Sequence, residues 1–251
     1  MIANGSSPSA PSLMHKLYLM QLSAITVPVG EGRTIEMSMG CYLIETLDGR
    51  RILIDSGMAA DGKPENTPPV HFETNVIDQL ARLGIKPSEI GTVICTHFDV
   101  DHAGYHEHFP QAEFVVQRSH YDLARSGHAR FAKARQHWDH PSLHYRLIEG
   151  DVELLPGLTL LETGGHVTGH QSVLVRLPHT GAVLLAIDAV ILARLFTPQR
   201  KLGPFDENET ELIASTEKLL ALAEQEKAAL VVFGHDGIQW ASLKKAPEFY
   251  D

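Results

Sequence analysis

Gly91-Thr92-Val93-Ile94-Cys95-Thr96-His97-Phe98-Asp99-Val100-Asp101-His102-Ala103-Gly104 is a short β-branched apolar run that ends in a dense packing of imidazoles and carboxylates. Its first five residues have the composition of a buried strand. A strand that stops at His97 and turns tightly directs residues 97, 99, 101 and 102 toward a common point. Buried one by one, each of these side chains needs a polar partner of its own. A shared divalent metal satisfies them together, since imidazole nitrogen and carboxylate oxygen both bind zinc at about 2.0–2.2 Å. Gly165-His166, Ile187-Asp188 and Gly234-His235 repeat the pattern of a ligand type at or just beyond an apolar run. Taken singly, His166 reads first as a hydrogen-bonded structural histidine and Asp188 as a turn cap. In this order and at strand ends, they read as the site of a metal-dependent hydrolase. A carboxylate such as Asp188 is the natural bridge between two ions, because its two oxygens reach both. Two ions about 3.5–4 Å apart hold a water between them and lower its pKa toward neutrality.

Around this stretch, strand signals fall in two sets. Residues 16–20, 40–45 and 51–55 form the first, with Asp48-Gly49 as a hairpin turn. Residues 158–161, 172–177, 182–187 and 230–233 form the second, with a turn at His179-Thr180-Gly181. Apolar spacing predicts helices over Asn75–Leu83 and Asn208–Gln225, and one or two more between Ser119 and Asp139. Two β-rich halves covered by helices predict an α/β four-layer αβ/βα sandwich. Residues 1–15 are expected to be a flexible leader and 16–251 a single domain. The segments Ala59–Glu73 and Ala193–Glu207 are long enough to wall a cleft.

The 251 residues are 43% hydrophobic and 21% charged, as in an ordinary globular domain. A net charge of −10, without a basic run, argues against nucleic acid or an anionic membrane as partner. No apolar stretch approaches the roughly 18 residues needed to span a bilayer. Met1–Ser12 lacks the apolar core of a secretion signal, and Cys41 and Cys95 sit in apolar runs as buried thiols. Cytoplasmic location, a small-molecule substrate and a monomer or homodimer are therefore expected. Nine of the 15 histidines lie between His97 and His144. His71, His106, His108 and those from His120 through His144 are expected to be mostly solvated, with His106 and His108 near enough to line the cleft. Asp55 and His170 are expected beside the ligands, orienting them.

These stretches resemble the metallo-β-lactamase superfamily, whose first motif is HxHxDH. Within it the chain is most similar to the quorum-quenching N-acyl-homoserine lactonases. The likeness runs from Lys16-Leu17-Tyr18 through Cys41-Tyr42-Leu43-Ile44-Glu45-Thr46, Asp55-Ser56-Gly57-Met58 and Asp101-His102-Ala103-Gly104. It continues in Val115-Val116-Gln117-Arg118, Ile148-Glu149-Gly150-Asp151, Gly169-His170-Gln171-Ser172, Ile187-Asp188-Ala189 and Phe233-Gly234-His235-Asp236. The resemblance implies one metal held by His97, residue 99 and His166, and another by Asp101, His102 and His235, with Asp188 bridging. Zinc is the first choice for the two ions, with manganese or iron as alternatives. The leading expectation is attack on a lactone by a metal-bridging hydroxide, with Asp101 or a metal-bound water passing a proton to the leaving alkoxide.

Three departures matter. The second histidine of the motif is Asp99, giving HxDxDH. A shorter, anionic ligand leaves three outcomes open: an altered dinuclear site, one filled only at Asp101/His102/His235, or a different metal. The favoured expectation is a dinuclear site with a weakened first ion. Ile191 stands three residues after Asp188, where the lactonases have a tyrosine that contacts substrate. Tyr105 is a candidate to supply a hydroxyl from the other side. Gly165 precedes His166 where the family usually has proline, which is expected to loosen the loop. Met58, Phe72, Ile191, Leu195 and Phe196 are candidate contacts for an acyl chain. Hydrolysis of another lactone, an ester or a thioester, and a non-catalytic metal- or ligand-binding role, remain as alternatives. A glyoxalase-like thioesterase lacks a basic cluster for its substrate, and the acidic balance disfavours a phosphodiesterase.

Overall fold

A computed structural model of the chain describes residues 12–30, 32–62 and 70–251. Most of the segment read as a leader, and residues 63–69 of the first cleft loop, lie outside the described residues. The last two leader residues, Met14 and His15, already belong to a strand. Met14 is fully buried, and Ser12 Oγ donates to the Arg176 carbonyl at 2.7 Å.

The first sheet contains β1 (Met14–Pro28), β2 (Thr34–Thr46), β3 (Arg51–Ile54), β4 (Val70–Phe72), β5 (Thr92–Ile94), β6 (Glu113–Gln117) and β7 (His144–Ile148), in the order β4-β1-β2-β3-β5-β6-β7. The second contains β8 (Val152–Leu155), β9 (Leu158–Glu162), β10 (Gln171–Leu177), β11 (Gly181–Ile187) and β12 (Leu230–Phe233), in the order β12-β11-β10-β9-β8. Strand alternation assigns the two faces of the first sheet to different layers. Leu17, Leu19, Ile44, Ile52, Ile54, Ile94 and Val115 face the second sheet and meet Leu158, Val173, Val175, Val183 and Leu185 in a closed inter-sheet core. Tyr18, Met20, Leu43, Leu53, Val93, Phe114 and Val116 face the other way, under α1 (Val76–Arg82), α2 (Arg118–Arg125) and α3 (Arg135–Trp138). The outer face of the second sheet buries Leu174, Leu184 and Ala186 against Leu219 of α4 (Glu209–Gln225). The layers are therefore helix, sheet, sheet, helix, as the sequence predicts.

The predicted helices at 75–83 and 208–225 form as α1 and α4, capped by Asn75 and Asn208, whose side chains accept from the Asp78 and Glu211 backbone N–H groups. A short helix after β12, α5 (Gly237–Ser242), plugs the inter-sheet core with Trp240. Its ring is fully buried, packs beside Tyr42 at a centroid distance of 5.9 Å and donates Nε1–H to the Phe233 carbonyl. Truncating a side chain so placed typically costs about 3–5 kcal/mol. No helix among the described residues is long and apolar enough to cross a membrane.

One difference from the sequence reading positions the site. β1 and β2 run well past their predicted ends as a two-stranded ribbon, paired from Met14↔Thr46 to Pro28↔Thr34. Along the ribbon, β3 pairs with β2 only at Tyr42–Glu45 and β4 with β1 only at Ser23–Ile25, so the far end of the ribbon projects beyond the body of the sheet. Its mixed residues, Ser38 and Thr26 among Met37, Met39, Ile25 and Val27, lack the apolar run that marks the buried half.

Candidate metal centre

The predicted ligands all leave the ends of strands on one edge of the sandwich. β3 delivers Asp55, β5 delivers the His97–His102 loop, the β9–β10 connection carries His166, β11 ends on Asp188, and β12 is followed by His235. The backbone strains to do this: Asp55 and Ile187 have φ of 58° and 51°, in the left-handed region that β-branched residues avoid. Gly234 has no tolerable substitute, because a Cβ there lies 2.6 Å from Asp188 Oδ1. Gly165 (φ 120°) is also obligatory, since its Cβ would meet the Leu212 nitrogen at 2.3 Å. It closes the loop against α4, contrary to the loosening expected.

Four imidazoles turn Nε2 inward because Nδ1–H is spent outward on an acceptor. His102 Nδ1 lies 2.8 Å from Asp55 Oδ2, His235 Nδ1 lies 2.9 Å from the Ser38 carbonyl, and His166 Nδ1 lies 3.1 Å from Asp206 Oδ1. His97 Nδ1 is 3.0 Å from Thr96 Oγ1, whose own proton goes to Asp55 Oδ2. Such outer contacts fix both tautomer and ring orientation. Asp206 is itself held by Arg200 at 3.0 Å and the Gly203 N–H at 2.8 Å.

The inward atoms converge. Asp188 Oδ2 is 3.1 Å from His235 Nε2, 3.4 Å from His166 Nε2 and 3.8 Å from His97 Nε2, while Oδ1 is 3.6 Å from His102 Nε2. Asp101 Oδ2 is 3.6 Å from His102 Nε2 and 3.5 Å from His235 Nε2. Ligands about 2.1 Å from a tetrahedral ion stand ~3.4 Å from one another, so this spacing matches a metal pocket. His97 Nε2, His102 Nε2 and Asp188 Oδ1 are buried without a hydrogen-bond partner. Lone pairs facing lone pairs in a buried pocket are relieved by a cation between them, and a divalent metal ion serves all of them at once. The donor groups His97/Asp99/His166, His97/His102/Asp188 and Asp101/His102/His235 each lie within 4.8 Å. All seven predicted ligand residues therefore meet at one centre.

A residue that the sequence reading did not single out stands among them. Arg130 donates to Asp99 twice, from Nε to Oδ1 at 2.7 Å and from Nη2 to Oδ2 at 2.5 Å. Burial alone pushes the Asp99 carboxyl up, but these bonds hold it well below the ordinary carboxylate range.

A cavity of about 700 Å³ opens over the centre, within the usual range for small-molecule sites. Asp99, Asp101, His166, Asp188 and His235 form its floor, and Ile25, Val27, Met37 and Met39 of the ribbon form one apolar wall. Met58 and Ile191 line it as expected. Phe72 is instead exposed on the edge strand, and Leu195 and Phe196 pack on the core beside Phe233. Tyr105 is not among the lining residues; its ring stacks beside His108 and against the core under the helices. Nor does His106 or His108 line the cavity.

Buried histidines outside the centre correct the expectation of solvated positions. His106 and His120 are fully buried, His106 against Phe98 and Phe114. His120 accepts from the Phe98 N–H at 2.9 Å and donates to the Thr168 carbonyl at 2.8 Å, tying the motif loop to the His166 loop. Burial lowers His106 to about 3 and His120 to about 4. The unfolded chain takes up these protons near pH 6.5 and the folded chain does not, so stability is greatest above pH 6.5 and falls as pH drops from there toward 4. Each contributes about 1 kcal/mol per pH unit in that window. Urea denaturation from pH 7 to 4.5 checks this, and His120→Gln should flatten the curve.

Comparison with known proteins joins these observations. The family model for the metallo-beta-lactamase superfamily matches residues 41–235, the span from the buried half of β2 to the last ligand. The chain belongs to the metallo-beta-lactamase superfamily. Within the superfamily, it is 31% identical over 243 residues to an N-acyl homoserine lactonase of Bacillus sp, covering 92% of this chain and 94% of that protein. It is 32% identical over 261 residues to the N-acyl homoserine lactonase AttM of Rhizobium radiobacter, covering 94% and 98%. A crystal structure of a quorum-quenching N-acyl homoserine lactone lactonase superposes with a TM-score of 0.85 at 29% identity, covering 96% of this chain and 100% of that one. An N-acyl homoserine lactone hydrolase with the product N-hexanoyl-L-homoserine at its catalytic metal centre superposes with a TM-score of 0.83 at 27% identity, covering 94% and 99%. The fold and the resemblance expected from the sequence are both borne out, and the protein is a metal-dependent enzyme of this superfamily.

Proposed function

We propose that this protein hydrolyses the ester bond of a lactone, with N-acyl homoserine lactones as the first candidate substrates. The observation that carries the reading is the set of inward Nε2 lone pairs and carboxylates beneath an apolar-walled cavity. The lactonase names of the relatives aligned along nearly the whole chain support the choice of substrate.

Asp101, His102, His235 and Asp188 are the residues proposed to hold a divalent ion. Zinc suits their mixed nitrogen and oxygen donors, and manganese and iron are compatible. Such an ion, when bound, supplies Lewis acidity and lowers the pKa of water. The chain's own residues do the remainder. Asp55, Ser38 and Asp206 hold His102, His235 and His166 in the tautomer with a bare Nε2. Asp101, on the cavity floor and 18% exposed in its side chain, is placed to carry a proton at its carboxylate toward a leaving alkoxide. The ribbon wall and Met58 receive an acyl chain and exclude water from it. The buried free thiols Cys41 and Cys95 accord with work in a reducing cytoplasm.

Ile191 favours a second reading, another lactone or ester, because among the described residues the cavity lining carries no hydroxyl, and Ile191 stands where the lactonases resembled have a tyrosine. Incubating metal-replete protein with acyl-homoserine lactones of several chain lengths, and titrating the acid released, decides between them. Turnover should disappear after dialysis against a chelator and return with added ion. Activity on simple esters without any on these lactones gives the second reading; no hydrolysis of either refutes both.

A further inference from the structure

Beside Asp99 and His166, two of the three residues to which the superfamily resemblance attaches a first metal ion, the structure places a guanidinium. Arginine has five N–H donors, and at Arg130 every one is used. Nε and Nη2 form the fork to Asp99, Nη2 also lies 2.8 Å from His166 Nε2, and Nη1 donates to the Phe205 carbonyl at 2.8 Å and to Glu207 at 3.2 Å. Because His166 Nδ1–H is spent on Asp206, its Nε2 is an acceptor and the Nη2 contact is a hydrogen bond. Arg130 is held in register by the next residue, Phe131, which is fully buried in the core under the helices. A planar fork on a carboxylate is the geometry in which arginine binds best.

We propose that Arg130 is the resident cation of this pocket, so that the chain carries a single divalent ion, at Asp101, His102, His235 and Asp188. The proposal rests on the hydrolase reading above for the place of that ion. Occupancy rather than charge decides between one ion and two. With Asp99, Asp101, Asp188 and the Arg130-paired Glu207 ionised, one guanidinium and one divalent ion leave the cluster at −1 and two divalent ions leave it at +1, so the count alone favours neither. Expelling Arg130 to admit a second ion breaks all five hydrogen bonds and strands the arginine. Asp99 in place of a histidine fits this arrangement, since a carboxylate takes both prongs of a guanidinium fork and an imidazole can take only one. Arg130 is thus a positioning residue, fixing Asp99 and the His166 ring at the edge of the reactive centre.

Metal content tests this without any substrate. Protein equilibrated with excess zinc and desalted should retain about one zinc per chain by mass spectrometry of the elements. The double variant Arg130→Met/Asp99→His, which removes the guanidinium and restores three histidines, should retain about two. Two zincs in the native protein overturn the proposal, and so does a folded double variant that still holds one. Should the double variant not fold, anomalous X-ray scattering from zinc-loaded native crystals decides. One peak beside Asp101, with Arg130 on Asp99, upholds the proposal; a second peak between His97 and His166 overturns it. A protein with one zinc that opens no lactone leaves this inference standing and removes only the substrate.

Discussion

Asp188→Ala is expected to lower kcat/KM for lactone opening by on the order of 1,000-fold and to remove bound metal. Asp188 is the one carboxylate whose oxygens approach the Nε2 atoms of all four inward histidines, from 3.1 Å at His235 to 3.8 Å at His97. Without it, the pocket of Asp101, His102 and His235 keeps three donors but loses half its negative charge. A metal ion supplies several kcal/mol of transition-state stabilisation, and each 1.36 kcal/mol is tenfold in rate. Asp188→Asn separates charge from shape: it keeps one oxygen donor but places an amide N–H before His235. Both variants should therefore lose metal, the alanine more completely. Elemental analysis beside initial rates checks this, and a folded Asp188→Ala protein with native activity contradicts the assignment of the centre.

Asp55→Ala should weaken metal affinity by about 10–100-fold and destabilise the fold by about 3–5 kcal/mol. The carboxylate is only 1% exposed and does not line the cavity over the centre, yet three groups depend on it. Oδ1 accepts from the Thr96 N–H at 2.8 Å, and Oδ2 accepts from Thr96 Oγ1 at 2.6 Å and His102 Nδ1 at 2.8 Å. Deleting it orphans three buried donors and frees the His102 ring to turn. The result should read as a lowered denaturation midpoint together with weaker metal binding in competition with a chelator. Restoration of activity by excess metal would show that Asp55 acts through His102 and not on substrate.

Ligand types at strand ends were legible because a buried imidazole or carboxylate has so few alternatives. His97, Asp101, His102, His166, Asp188 and His235 each follow an apolar run closely, and the run predicts the strand. Asp55 was legible for the same reason. Arg130 was not, since it lies among Arg118, Arg125 and Arg135 in a segment whose pattern is that of a solvated helix. The only signal in the chain was indirect: a carboxylate where an imidazole is usual calls for a new cation. The projecting ribbon was missed because hydrophobic alternation weakens where one face borders a cavity and the other meets water. His106 and His120 were misplaced because a histidine carries no mark of burial until its neighbours are known. β6 and β7 went unassigned as strands, lying among segments in which polar and helical patterns dominate.

Strand β2 serves two masters in consecutive residues. Met37 and Met39 turn toward the cavity, while Ser38 between them accepts from His235 Nδ1 at 2.9 Å and donates its N–H to the His235 carbonyl at 3.2 Å. The surface proposed to receive the tail of a substrate and the peg that steadies the His235 imidazole are thus one rigid rod. Selection for a longer or bulkier tail that shifts this rod also tilts the imidazole, so taste and chemical power are geared together in this molecule.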